Sequence, residues 1–165
     1  MKIPLLRTIT LVITICCGAM PGRGDVATDT ETAAHRSVLD LAGAFTNDGF
    51  KMRDGAYTST LKAGESAVVE VNLYSGNQYW FAVSTADAKS AVSIGVYNEA
   101  GNMVKSEPFA SRAADGAKDG AMDTDAASTN RAAAGFAPEA SGPYYIKITN
   151  TTGVPATCCL IYSYK

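Results

Sequence analysis

Three features of the chain predict an all-β fold, an antiparallel β-sandwich of jelly-roll type preceded by a short helix. Apolar and polar residues alternate with period two in runs from Tyr57 onward, Gly- and Asn-containing turns separate the alternating runs, and one helical repeat of apolar residues stands ahead of them. Short alternating strands joined by tight turns pair antiparallel, because a parallel pair needs a crossover of a dozen or more residues. No strand–helix–strand series is present in the pattern, which argues against a doubly wound sheet.

The chain opens with MKIPLLRTITLVITICCGAM, in which Lys2 and Arg7 precede an apolar run from Thr8 to Cys17 and the small residues Gly18 and Ala19. That is the layout of a secretory signal, too short for a bilayer span of about 20 apolar residues, and it places the expected cut after Ala19. Residues 1–19 are therefore read as a signal peptide, 20–55 as a polar segment with a short amphipathic helix, and 56–165 as the sandwich. Cleavage removes two of the 14 basic residues and none of the 16 acidic ones, so the mature chain carries a net charge of −4. An acidic surface excludes the phosphate backbone of nucleic acid as a partner. The roughly 146 residues that remain suffice for one domain with a real core.

Within the polar segment, Ala34, Val38, Leu41 and Phe45 recur at helical spacing. Thr30 or Thr32 is the expected cap and Asn47-Asp48-Gly49 the expected stop, giving a short helix on the edge of the domain. Ala67, Val69, Val71 and Leu73 then alternate with Val68, Glu70 and Asn72, and Tyr74-Ser75-Gly76-Asn77 turns the chain into QYWFAVST. AVSIGVY puts Val92, Ile94 and Val96 on one face, PYYIKITN sets Tyr144, Ile146 and Ile148 against Tyr145, Lys147 and Thr149, and CCLIYSYK closes the chain in the same rhythm. Between about 110 and 132 the large apolar residues thin out, so this stretch is read as a long mobile loop, with GFAP around Phe136 rejoining the sheet.

Three stretches, LKAGESAVVEVNLYSGNQYWFAVS, VSIGVYNEAGNMV and FAPEASGPYYIKITNTTGVPATCCLIYSY, resemble the bacterial pre-peptidase C-terminal domain. The features that carry the resemblance are Gly64-Glu65 before a strand, Tyr79-Trp80-Phe81, the Asn98-Glu99-Ala100-Gly101 hairpin, and Pro138 through Ile148. It implies a secreted jelly-roll sandwich that accompanies other proteins, here with no peptidase attached. The chain departs from the family at Asp87-Ala88-Lys89-Ser90-Ala91, where a lysine interrupts the acidic residues of the family pattern.

Catalytic chemistry finds little support. The single histidine, His35, lies in the helical stretch beside Arg36 without a nucleophile motif, and is read as a helical surface residue. Asp115, Asp119, Asp123 and Asp125 are oxygen donors of the kind calcium takes, yet they lack the EF-hand order. They are read as a solvated loop, with calcium as the one cofactor in view. Asn150-Thr151-Thr152 is a glycosylation sequon, expected to be silent in a bacterial host. Alternation points Tyr79, Phe81, Tyr144, Tyr162 and Tyr164 inward and leaves Trp80 and Tyr145 outward, where flat rings are placed to meet a sugar or a protein.

In the last strand Cys158 falls in phase with Leu160 and Tyr162 and is expected in the core, as a reduced thiol in preference to a strained vicinal disulfide. Cys159 shares the other face with Ile161 and Ser163, which makes it the candidate for cross-linking a dimer in an oxidising compartment. The functional expectation is a secreted, non-enzymatic accessory or binding module engaging an extracellular protein or polysaccharide. A calcium-assisted carbohydrate-binding or adhesion module is the alternative, and a hydrolase with an unrecognised site ranks third.

Overall fold

The computed structural model describes residues 25–109 and 130–165. The stretch 1–19 read as a signal peptide, most of the 110–132 stretch read as a mobile loop, and the aspartates at 115, 119, 123 and 125 lie outside the described residues. Helix α1 (Asp25–Asn47) is followed by β1 (Lys51–Met52), β2 (Tyr57–Leu61), β3 (Ser66–Leu73), β4 (Tyr79–Thr85), β5 (Val92–Tyr97), β6 (Glu107–Pro108), β7 (Arg131–Phe136), β8 (Gly142–Asn150) and β9 (Ala156–Tyr164). All pairings are antiparallel, in a six-stranded sheet ordered β1-β9-β4-β7-β6, with β2 also on β9, and a three-stranded sheet ordered β3-β8-β5. The expected all-β sandwich with an N-terminal helix is the architecture found.

Between the sheets lies the main core, in which Phe81, Val83, Val96, Ile146, Ile148 and Cys158 are fully buried. Alternation placed the faces of β3 correctly, with Val71 and Leu73 buried while Ser66, Val68, Glu70 and Asn72 stay exposed. The β3–β4 turn is fixed to this core by one phenol, since Tyr79 Oη accepts hydrogen bonds from the Tyr74 amide at 2.9 Å and from Asn77 Nδ2 at 3.2 Å. Gly76 completes the turn at φ +90°, where a Cβ is disfavoured.

The helix departs from expectation in length and position. It begins at Asp25, upstream of Thr30 and Thr32, because neither proline nor glycine occurs between Gly24 and Gly43 to stop it. It ends where expected. Gly49, at φ +85°, donates to the Thr46 carbonyl and Phe50 donates to that of Phe45, the paired bonds of a Schellman cap. Rather than lying at the edge, α1 packs across β9 and β4 in the middle of the six-stranded sheet. Ala34, Val38, Leu41 and Phe45 form a second core there with Ala82, Ala133, Cys159 and Ile161. The molecule therefore has three layers, helix on sheet on sheet.

One further reading changes and another gains a physical cause. The chain rejoins the sheet at Arg131, ahead of the GFAP stretch, and β7 (RAAAGF) is built from small residues. Asn150 of the sequon is fully buried, and its Nδ2 donates to the carbonyls of Leu61, Lys62 and Val154 at 2.8–3.1 Å. Its Oδ1 accepts from the amide and hydroxyl of Thr152. The sequon thus ties the β2–β3 and β8–β9 turns together, leaving its amide nitrogen no room for a sugar.

Candidate binding face

The outer face of the three-stranded sheet is built from the residues that alternation turns away from the core. Register aligns them in rows across β3, β8 and β5: Ser66–Thr149–Ser93, then Val68–Lys147–Gly95, then Glu70–Tyr145–Tyr97. Among the described elements, α1 packs on β9 and β4 of the other sheet and not on this face. The first row is a hydroxyl ladder in which Ser66 Oγ and Thr149 Oγ1 are 2.8 Å apart. In the third row two half-buried tyrosines occupy neighbouring strands beside an exposed carboxylate. A Cβ on Gly95 would come within 3.1 Å of Tyr97 Cε2, so the missing side chain lets the Tyr97 ring lie along its own strand. Planar rings, a lysine, a carboxylate and hydroxyls are thereby held on a rigid sheet.

Tyr145 is where the sequence placed it. Tyr97 was not singled out, although its phase was readable, since Ser93, Gly95 and Tyr97 are the residues left over when Val92, Ile94 and Val96 turn inward.

Trp80 belongs to a different surface. It points to the helix side of the six-stranded sheet, opposite to Tyr145, and Phe45 stacks on it with ring centroids 4.6 Å apart and planes 5° from parallel. Its other face lies on Gly135, where a Cβ would come within 2.9 Å of Cη2 and Cζ2. With both faces covered, the indole has no surface to stack on a sugar, which corrects the expectation for this residue. Its edge contributes to a cleft of about 470 Å³ that Phe50, Tyr79, Phe136, Lys105 and Glu107 also line.

Cys159 is likewise corrected. It is fully buried beneath α1, with Thr58 Oγ1 donating to its Sγ at 3.5 Å, so the exposed thiol expected to cross-link a dimer is not at the surface. Cys158 is fully buried on the opposite face, as expected, and both are free thiols. Burial, with Cys159 close by, pushes the Cys158 thiol up to about 11, and burial raises Cys159 as well. Such thiols stay protonated and unreactive near neutral pH. Both faces of β9 are covered, and the signal was present: CCLIY holds no polar residue, the mark of a strand buried on two sides.

The remaining candidates do not converge. His35 is exposed on α1. Asp87 caps a turn, its Oδ1 accepting from the Lys89 amide at 2.9 Å. Among the described residues no three His, Cys, Asp or Glu side chains come together as a metal site, and no helix is long and apolar enough to cross a membrane. Ser84 and Ser37 hydroxyls meet at 2.6 Å with Arg131 Nε 3.0 Å from Ser37, a polar contact that joins α1 to β4 and β7. Neither a protein-family profile nor a characterised protein sequence matches the chain, so the likeness to the pre-peptidase C-terminal domain rests on the residues that carry it.

Proposed function

We propose that the chain is a secreted, non-catalytic β-sandwich accessory module that binds an extracellular polysaccharide on the outer face of the β3-β8-β5 sheet. The observation that carries this reading is the uncovered row Glu70–Tyr145–Tyr97, with Lys147 and the Ser66–Thr149–Ser93 hydroxyls beside it. Sugars offer apolar C–H faces to aromatic rings and hydroxyls to hydrogen-bonding side chains, and this face supplies both from a rigid strand scaffold. The charged, apolar and small-residue leader supports export. The pre-peptidase likeness supports a role alongside other secreted proteins.

Thermal melting against a panel of neutral, acidic and amino polysaccharides, with calcium or EDTA, tests the proposal. A ligand that binds only the folded state raises the midpoint, by the equivalent of about 2.7 kcal/mol at a hundredfold excess over Kd. The expected result is a rise with at least one polysaccharide class and recovery of that glycan uncleaved. A flat response across the panel, or release of new reducing ends, contradicts it.

A further inference from the structure

We infer that the free edge of β3, together with the cleft beside it, takes an extended polypeptide segment as a fourth strand of the smaller sheet. The backbone bonds set the direction of every group on this edge. The Asn150 amide donates to the Glu65 carbonyl, and the Thr151 amide to that of Ala91. Ladder bonds alternate along antiparallel strands, so Ala67, Val69 and Val71 bond β8. The N–H and C=O groups of Ser66, Val68, Glu70 and Asn72 consequently point away from it. Among the described residues no strand pairs with that side of β3.

The opposite edge of the same sheet is treated differently. There Met103 bridges Tyr97 and the Val104 amide bonds the Val96 carbonyl, so the chain itself covers part of β5. The eight residues of β3 carry no proline and no bulge, Val68 is 59 % exposed, and Glu70 is the one charged side chain on the strand.

A cleft of about 420 Å³ runs beside this edge. Val69 and Val71 form one wall, Tyr57, Leu160 and Tyr162 the other, and Arg53 stands at its mouth, 5.7 Å above the Tyr162 ring. A strand added to β3 sends alternate side chains toward the six-stranded sheet, hence into this cleft. Main-chain bonds then supply affinity and the cleft supplies selectivity, the mode of strand addition. The occupant is a proline-free segment with apolar side chains at alternate positions. A second copy of β3 would leave the cleft unfilled, because its inward residues Val69 and Val71 stay packed against its own core. This edge shares β3 with the polysaccharide face but uses its backbone groups and its inner side, so a variant in the cleft and a variant at Tyr97 or Tyr145 test the two separately.

The test uses a blocked octapeptide alternating valine and threonine with terminal lysines, and a control carrying proline at the threonine positions, whose N–H groups meet β3 in an antiparallel pairing. With the full chain, hydrogen exchange is expected to slow at least tenfold at the Ser66, Val68, Glu70 and Asn72 amides and to stay unchanged at Ala67, Val69 and Val71. Ala56→Trp fills the cleft from its exposed lip and is expected to weaken the peptide at least tenfold while leaving glycan binding intact. Unchanged exchange at the four amides overturns the inference. So does equal binding of the proline control, or protection of the same amides in a dimer without peptide, detected by light scattering.

Discussion

The two sheets of this sandwich share a core but differ on their outer faces. The six-stranded sheet carries α1 on its outer side, and β4, β7 and β9 are buried on both sides as a result. The three-stranded sheet carries nothing there among the described residues, and its strands keep alternating polar and apolar residues. Similar side chains therefore have opposite fates. Trp80 is closed between Phe45 and Gly135, and Cys159 is sealed under the helix, while Tyr145 and Tyr97 remain on an uncovered surface. What a strand residue can do depends on the layer beyond it as much as on its own phase.

The largest expected effect breaks the covered side. Phe45→Ala removes the ring that stacks on Trp80 and is expected to cost about 3–5 kcal/mol in urea unfolding, whereas Tyr145→Ala on the open side is expected to cost under about 1 kcal/mol. Equal losses would erase the distinction between the faces.

Alkaline pH probes burial at β9. The Cys158 thiol is held at about 11 against an ordinary 9.0, so above pH 9 the unfolded chain loses a proton that the folded chain keeps. Stability is then full below pH 9 and falls between pH 9 and 11, by about 2–3 kcal/mol from this thiol. Cys158→Ala should flatten that part of the profile, and an unaltered slope would show that the thiol ionises as readily in the fold as outside it.

Two strand glycines, Gly135 and Gly95, sharpen the contrast further. A Cβ on Gly135 strikes the face of a wedged indole, and Gly135→Ala is expected to cost about 1–3 kcal/mol. At Gly95 the neighbour is the edge of a surface tyrosine that can swing aside, so Gly95→Ala is expected to stay within about 0.5 kcal/mol. Matching chemical melts of the pair decide the point.

Strand phase was legible in the sequence wherever one face meets water. In β3, β5 and β8 the polar residues mark that face, and Tyr145 was placed by them. Strands covered on both sides lose this mark. The Ala- and Gly-rich β7 reads as loop because its residues are chosen for thinness beneath a helix and an indole, not for alternation. Trp80 and Cys159 were misplaced for the same reason: alternation identifies two faces without saying whether the second is covered. The polar-free YWFAV and CCLIY runs, read together with an amphipathic helix that needs a partner, carry the missing information. Asn150 lay beyond such reading, since its three carbonyl partners come from two turns that only the fold brings together.

The central claim is that the open face of β3-β8-β5 is the glycan surface. Amide chemical-shift mapping with a polysaccharide that raises the melting midpoint tests it most directly. The account predicts perturbations centred on Ser93, Tyr97, Tyr145 and Lys147, lost in the Tyr97→Ala, Tyr145→Ala double variant while that variant still folds. Perturbations centred on Phe50, Trp80 and Phe136, unaffected by the double variant, would contradict it.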